Sequence, residues 1–195
     1  MKGITEEAMD TPGDISPTTV DEDGGESEPP QRLSLEVVVE DGDWPDAGAL
    51  EALLAPVARA LGAAPELAGE LGHAASACIA FSTDADVRSL NARFRSKDKP
   101  TNVLSFPAQA LPSDVLGLDE PRPLGDVVLA AETVAAEAHD LGIPISHHVQ
   151  HLVVHGVLHL LGHDHEADSE ADVMEALETR VLATLGVSDP YRSSE

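Results

Sequence analysis

The segment HLVVHGVLHLLGHDH, residues 151–165, constrains this chain more than any other stretch. Two histidines four positions apart on a helix advance about 400° around its axis, so His155 and His159 project from nearly one face, a turn apart. That spacing can hold one metal ion. Gly162 follows, and glycine ends helices by taking a left-handed conformation without a side-chain clash. The chain can then fold back and bring His165 to the same ion as a third imidazole ligand, leaving a tetrahedral ion with one open position. The predicted metal ligands are therefore His155, His159 and His165. Leu152, Val153, Val154, Val157, Leu158, Leu160 and Leu161 fill most of the remaining faces, as in a helix buried among neighbours. A lone histidine on such a helix is ordinarily a satisfied core residue. Three at this spacing around a glycine point to a metal, since buried unpaired imidazoles would each need another partner.

The ligand spacing H-x-x-x-H-x-x-G-x-x-H is that of the metzincin metalloproteases, with one difference. Those enzymes carry Glu directly after the first ligand as general base, and here that position is Gly156. The site can hold a metal but lacks the peptidase's base. His147 and His151 extend the i, i+4 row backwards, each step drifting about 40° from the ligand face, which places His151 beside the ligands rather than among them. His163 competes with His165 for the third ligand position, and the ten-residue spacing favours His165. Asp164 is either an acceptor for a ligand imidazole or a turn residue.

A chain of 195 residues suits one domain with a sizeable core. Its formal net charge of −25 ordinarily argues against a nucleic-acid partner, because phosphate binding rests on Lys and Arg. The distribution reverses that reading: of 11 basic residues, five (Arg88, Arg93, Arg95, Lys97 and Lys99) fall within one short stretch. A single cysteine, Cys78, excludes an internal disulfide and fits a reducing compartment, and its apolar surroundings predict a small core residue. With no long apolar run and no basic, apolar leader, the expectation is a cytoplasmic protein without a membrane partner.

Residues 1–31 are acidic and nearly devoid of large apolar side chains, which predicts a disordered tail. The folded domain is expected over 32–187, with 188–195 frayed. Strands are predicted over 33–40, 73–81, 102–107 and 125–130, the last two pairing as a hairpin around a loop at 108–123. Helices are predicted over 47–61 with Gly62 as stop, 84–94 capped by Ser82 or Thr83, 132–141 stopped by Gly142, the histidine helix with Ser146 as candidate cap, and a last helix from about Ala171 to Gly186. The expected fold is α/β (α+β): a single domain with a mixed sheet of about four strands covered by about five helices, the zinc site lying at the end of a central helix.

Taken together, NARFRSKDKPTNVLSFP at 91–107 and the histidine segment closely resemble the YbeY family of endoribonucleases, from the first strand to the last helix. The resemblance implies an enzyme of ribosomal RNA maturation and ribosome quality control, a metal-dependent single-strand-specific endoribonuclease. It implies one Zn2+ on His155, His159 and His165, and ribosomal RNA and ribosomal subunits or proteins as partners. The family's functionally important arginine falls at Arg95, which becomes the catalytic candidate; Arg93, Arg95, Lys97 and Lys99 are the RNA-binding candidates. Asn102 stands where the family frequently has Asp, and His163 where it frequently has Tyr.

A three-histidine zinc can lower the pKa of bound water to about 7 and polarise a phosphoryl oxygen, and a nearby arginine can stabilise the charge that develops there. Two other classes remain open at this level: an RNA- or ribosome-binding assembly factor with a non-catalytic zinc, and a metalloprotease. The missing glutamate argues against the protease. The open fourth position argues against a purely structural ion, since structural sites are usually closed by four protein ligands.

Overall fold

The computed structural model describes residues 32–109, 120–165 and 167–191. The expected acidic tail, most of the loop at 108–123 and the last four residues lie outside them. Four strands, β1 (Leu33–Val39), β2 (Ala75–Ser82), β3 (Val103–Pro107) and β4 (Arg122–Ala130), form one sheet in the order β1-β2-β4-β3. β1, β2 and β4 run parallel, and β3 is antiparallel to β4, so the expected hairpin pair is present. The helices are α1 (Ala47–Ala63), α2 (Asp84–Arg95), α3 (Ala131–Leu141), α4 (Ile145–Leu160) and α5 (Asp168–Thr184), with a short 3-10 turn at Pro65–Leu67. This is the expected mixed four-stranded sheet covered by five helices.

Alternation along the strands divides the apolar residues between two faces. Ala77, Ile79 and Phe81 of β2 and Val127 and Leu129 of β4 turn toward the principal core, where they meet Leu50, Leu54, Val57 and Leu61 of α1 and the apolar side of α4. The opposite face carries a smaller cluster, with Ala80, Val128 and Leu104 under Val87 of α2. Helix α4 lies in the middle of the principal layer: Val153, Val154, Val157 and Leu158 have no exposed surface. Each such side chain stabilises the fold by roughly 1.5–3 kcal/mol through burial. The histidine-bearing helix is therefore a rigid core element. Cys78 is only half-buried, on the less covered face of the sheet, and is not part of either core cluster.

Several boundaries differ from the sequence reading, three of them for a clear local reason. Helix α1 passes through Gly62 and ends at Ala63; the capping Ala64 is extended (φ −66°, ψ 119°) because it precedes Pro65. Helix α4 takes no cap from Ser146; Pro144 occupies the cap position, and its carbonyl accepts the N–H groups of His147 and His148. Strand β4 starts at Arg122 rather than Gly125, since a register shift opposite Ser76 and Ala77 lets the chain keep pairing with β2. Pro123 is tolerated there because it lies beyond the last β3 pair, Pro107 with Gly125.

Candidate metal centre

The end of α4 builds the centre. After Leu160 the chain turns through Gly162 (φ +96°), whose N–H donates to the His159 carbonyl while the His163 N–H donates to Leu158. These two bonds satisfy the last carbonyls of the helix, and the left-handed residue reverses the chain as the sequence requires. His165 thereby returns to His155 and His159, with ring centroids 5.6 and 5.0 Å away, and the three residues offer ligand nitrogens all within 4.8 Å of one another. His155 and His159 are part-buried and His165 is exposed, so the group opens to solvent on one side.

The ring nitrogens that point away from the centre are both occupied. His155 Nδ1 lies 2.7 Å from Glu178 Oε1, and His159 Nδ1 lies 3.0 Å from the His163 carbonyl oxygen. Each acceptor requires a proton on Nδ1, which leaves both Nε2 atoms as lone-pair donors only 3.1 Å apart. Two nitrogens bound about 2.0–2.1 Å from one tetrahedral ion stand about 3.3 Å apart, so the donor set fits such an ion. Burial first, and the neighbouring His155 second, push the His159 pKa down, which favours the neutral, ligating form.

The remaining histidines take distinct places. His151 Nε2 approaches Glu178 Oε2 at 3.3 Å and so faces the carboxylate behind His155. His163 contributes its carbonyl, while its Nε2 is buried without a partner; His147 stands outside the group. Asp164 is a turn residue, its Oδ1 accepting the His165 N–H at 2.7 Å. Glu178, fully buried on α5, is the partner that sequence reading missed. Its only signal was an acid inside the apolar spacing of the last helix. Asn102 donates its amide to Glu137 Oε2 at 3.0 Å, beside His148 Nε2 at 2.8 Å. An aspartate could not donate there.

Arg95 and Lys97 line a cleft of about 610 Å³ together with His159, His163, Asp164, His165 and Ser105. Three features hold this basic loop. Ser96 caps α2 in the left-handed region (φ 57°), buried Asn91 accepts the Lys97 N–H on its carbonyl, and the Asn91 amide donates to the Lys99 carbonyl at 2.8 Å. Arg88 turns away to pair with Asp98, with contacts of 2.7 and 3.0 Å. Arg93 and Lys99 do not line the cleft; the Arg93 guanidinium lies 5.0 Å from the ring centroid of Phe94. Thus two of the four RNA-contact candidates share a cleft with His159 and His165. Another cavity, about 520 Å³ and more apolar, runs between α1 and α5, but no histidine lines it.

Fold and site together define an α/β protein with a three-histidine centre able to hold a metal, set in a cleft walled by basic residues. Comparison with known proteins agrees with that class. The endoribonuclease YbeY family profile matches residues 49–186. A protein of Azorhizobium caulinodans named Endoribonuclease YbeY is 48% identical over 162 residues, covering 82% of this chain and 96% of its own. Relatives of the same name from Chelativorans sp. and Rhodopseudomonas palustris are 47% and 48% identical, covering 86% and 83% of this chain and 98% and 92% of theirs. The chain belongs to the endoribonuclease YbeY family. Among the described residues no helix is long and apolar enough to cross a membrane.

Proposed function

We propose that this chain is a zinc-dependent, single-strand-specific endoribonuclease that acts on ribosomal RNA during its maturation and in ribosome quality control, in the reducing cytoplasm. The observation that carries the reading is the cleft itself: two of the three convergent histidines, His159 and His165, line one open space together with Arg95 and Lys97. His155, His159 and His165 would hold the ion. When bound, it supplies a Lewis acid and an activated water.

The chain's own residues do the rest. Glu178 and the His163 carbonyl fix two imidazoles in the tautomer that presents Nε2 to the centre. Lys97 attracts the phosphate backbone as a point charge, a contribution that salt screens. Arg95 presents a planar fork to the scissile phosphodiester, suited to charge spread over phosphoryl oxygens. Asn91 and Ser96 hold both cations at the cleft, so that little reorganisation accompanies reaction.

Cleavage of ribosomal RNA fragments by wild type, Arg95→Ala and His159→Ala, each preparation cleared of trace nuclease, tests the proposal. Wild type should cut, His159→Ala should not, and Arg95→Ala should cut slowly with metal and fold intact. If His159→Ala cuts like wild type, or if wild type binds ribosomal particles and never cuts, the assembly-factor reading replaces this one.

A further inference from the structure

Glu178 is wholly buried and yet ionisable, and a buried carboxylate is strongly unfavourable unless it is fully partnered. Its partners come from two elements. Oε1 takes His155 Nδ1 at 2.7 Å; Oε2 is shared by His151 Nε2 at 3.3 Å and, through a short hydrogen bond, by the hydroxyl of Tyr191. Tyr191 belongs to the turn that follows α5. That turn is tied down separately, because Asp189 Oδ1 accepts the Tyr191 N–H at 2.9 Å and the Thr179 hydroxyl at 3.3 Å. The Tyr191 ring also meets the His151 ring edge to face, with centroids 6.2 Å apart.

From this arrangement we infer that Tyr191 is a positioning residue for the metal ligand His155, acting through Glu178, and that docking of the 188–191 turn and metal binding are thermodynamically coupled. The inference rests on the metal-binding reading of the three histidines. A carboxylate attached through rotatable bonds has no fixed plane of its own. Here the plane is set by opposing pulls, the tyrosine hydroxyl and His151 on one oxygen and His155 on the other. Without the hydroxyl, Oε2 keeps only the longer His151 contact, and the carboxylate is free to swing away from His155. His155 then loses the acceptor that selects its tautomer and aims Nε2. Partners of this kind behind a ligand typically change metal affinity by about 10- to 100-fold.

Coupling of two binding events is reciprocal, so the ion must tighten the turn by the same factor by which the turn tightens the ion. A merely structural latch on α5 lacks that property. The remaining contacts of the turn, Asp189 to Thr179 and the ring to His151, explain how it docks without making it metal-sensitive.

The test uses the full chain freed of metal and titrated with zinc against a chromophoric chelator. Tyr191→Phe should weaken zinc binding about tenfold, and the metal-free protein should melt lower than wild type, because the buried carboxylate loses a partner, but still unfold cooperatively. In parallel, amide hydrogen exchange over 188–191 should slow when zinc is added to wild type and should not respond in His155→Ala. Glu178→Gln should weaken zinc binding further, and because that buried change can impair folding, Tyr191→Phe is the deciding variant. Unchanged zinc affinity in Tyr191→Phe, or exchange over 188–191 indifferent to zinc, overturns the inference and leaves the metal reading standing. Failure of wild type to bind zinc overturns both.

Discussion

Gly156 and Val127 meet so closely that a β-carbon on the glycine would lie 2.6 Å from the valine Cγ1 and 3.2 Å from the Ser105 hydroxyl. The position directly after the first ligand, where peptidases with this spacing carry their base, therefore faces the sheet rather than the cleft. The Ser105 hydroxyl donates to the Gly156 carbonyl at 3.1 Å, and helix and strands lie flush there. A glutamate at this position has no room. Gly156→Ala should destabilise the domain by about 1–3 kcal/mol, the usual range for overpacking a filled core. Urea denaturation of the two proteins measures it, and an unchanged midpoint would show that α4 can withdraw from the sheet without loss.

His155→Ala, His159→Ala and His165→Ala should each strip most of the metal from the purified protein, whereas His163→Ala and His147→Ala should retain it. The division follows from the ligand atoms, which converge for the first three residues alone among the described histidines. Elemental analysis of the variants decides the point. Full zinc in His165→Ala together with loss in His163→Ala would reassign the third ligand.

Much of this arrangement was legible in the sequence, because the features concerned are local. The i, i+4 pair, the glycine and the return of His165 obey helix geometry, and the structure adds only the two carbonyl bonds that close the turn. Thr83 caps α2 as its position suggested. The long-range partners were not legible. Glu178 lies 23 residues beyond His155, on a helix whose spacing gave only its apolar side. The Gly156 contact depends on how closely α4 approaches β4, which no period in the sequence encodes. Ser146 failed as a cap because Pro144, with its fixed φ, begins the helix two residues earlier than a serine cap requires. The cationic run was visible, but which of its members face the cleft was not. That depends on a left-handed serine and a buried asparagine that reads as an ordinary surface residue.

The acid limb of stability should carry a Glu178 signature. Burial raises its carboxyl pKa, but hydrogen bonds from His151, His155 and Tyr191 and the charge of His155 outweigh that and hold it at about 2, against 4.5 for the free group. A depressed carboxyl stabilises the folded state above its unfolded pKa, and that contribution disappears as pH falls through the folded one. The window is thus from about 4.5 down to about 2. The contribution is on the order of 3 kcal/mol. Unfolding free energies of metal-free wild type and Glu178→Gln should converge across that window, and a difference that does not change with pH would refute the assignment.

The basic loop yields the sharpest functional separation, because its four cations are held differently. Arg95 and Lys97 line the cleft with the histidines, whereas Arg93 and Lys99 do not. Arg95→Ala should lower kcat by about 10- to 100-fold while KM and metal content change little, as expected when a contact made mainly in the transition state is lost. Lys97→Ala should instead raise KM and flatten the dependence of binding on salt by about one ion, as for a single lost phosphate contact. Arg93→Ala and Lys99→Ala should do less than either. Asn91→Ala separates position from charge. It removes the amide that donates to the Lys99 carbonyl but no cation, so it should reduce kcat in the same direction as Arg95→Ala and leave the salt dependence intact. Steady-state cleavage of a short unpaired RNA at several salt concentrations supplies all five comparisons. Equal losses in all four cation variants, scaling only with charge removed, would show that the loop attracts RNA without positioning it.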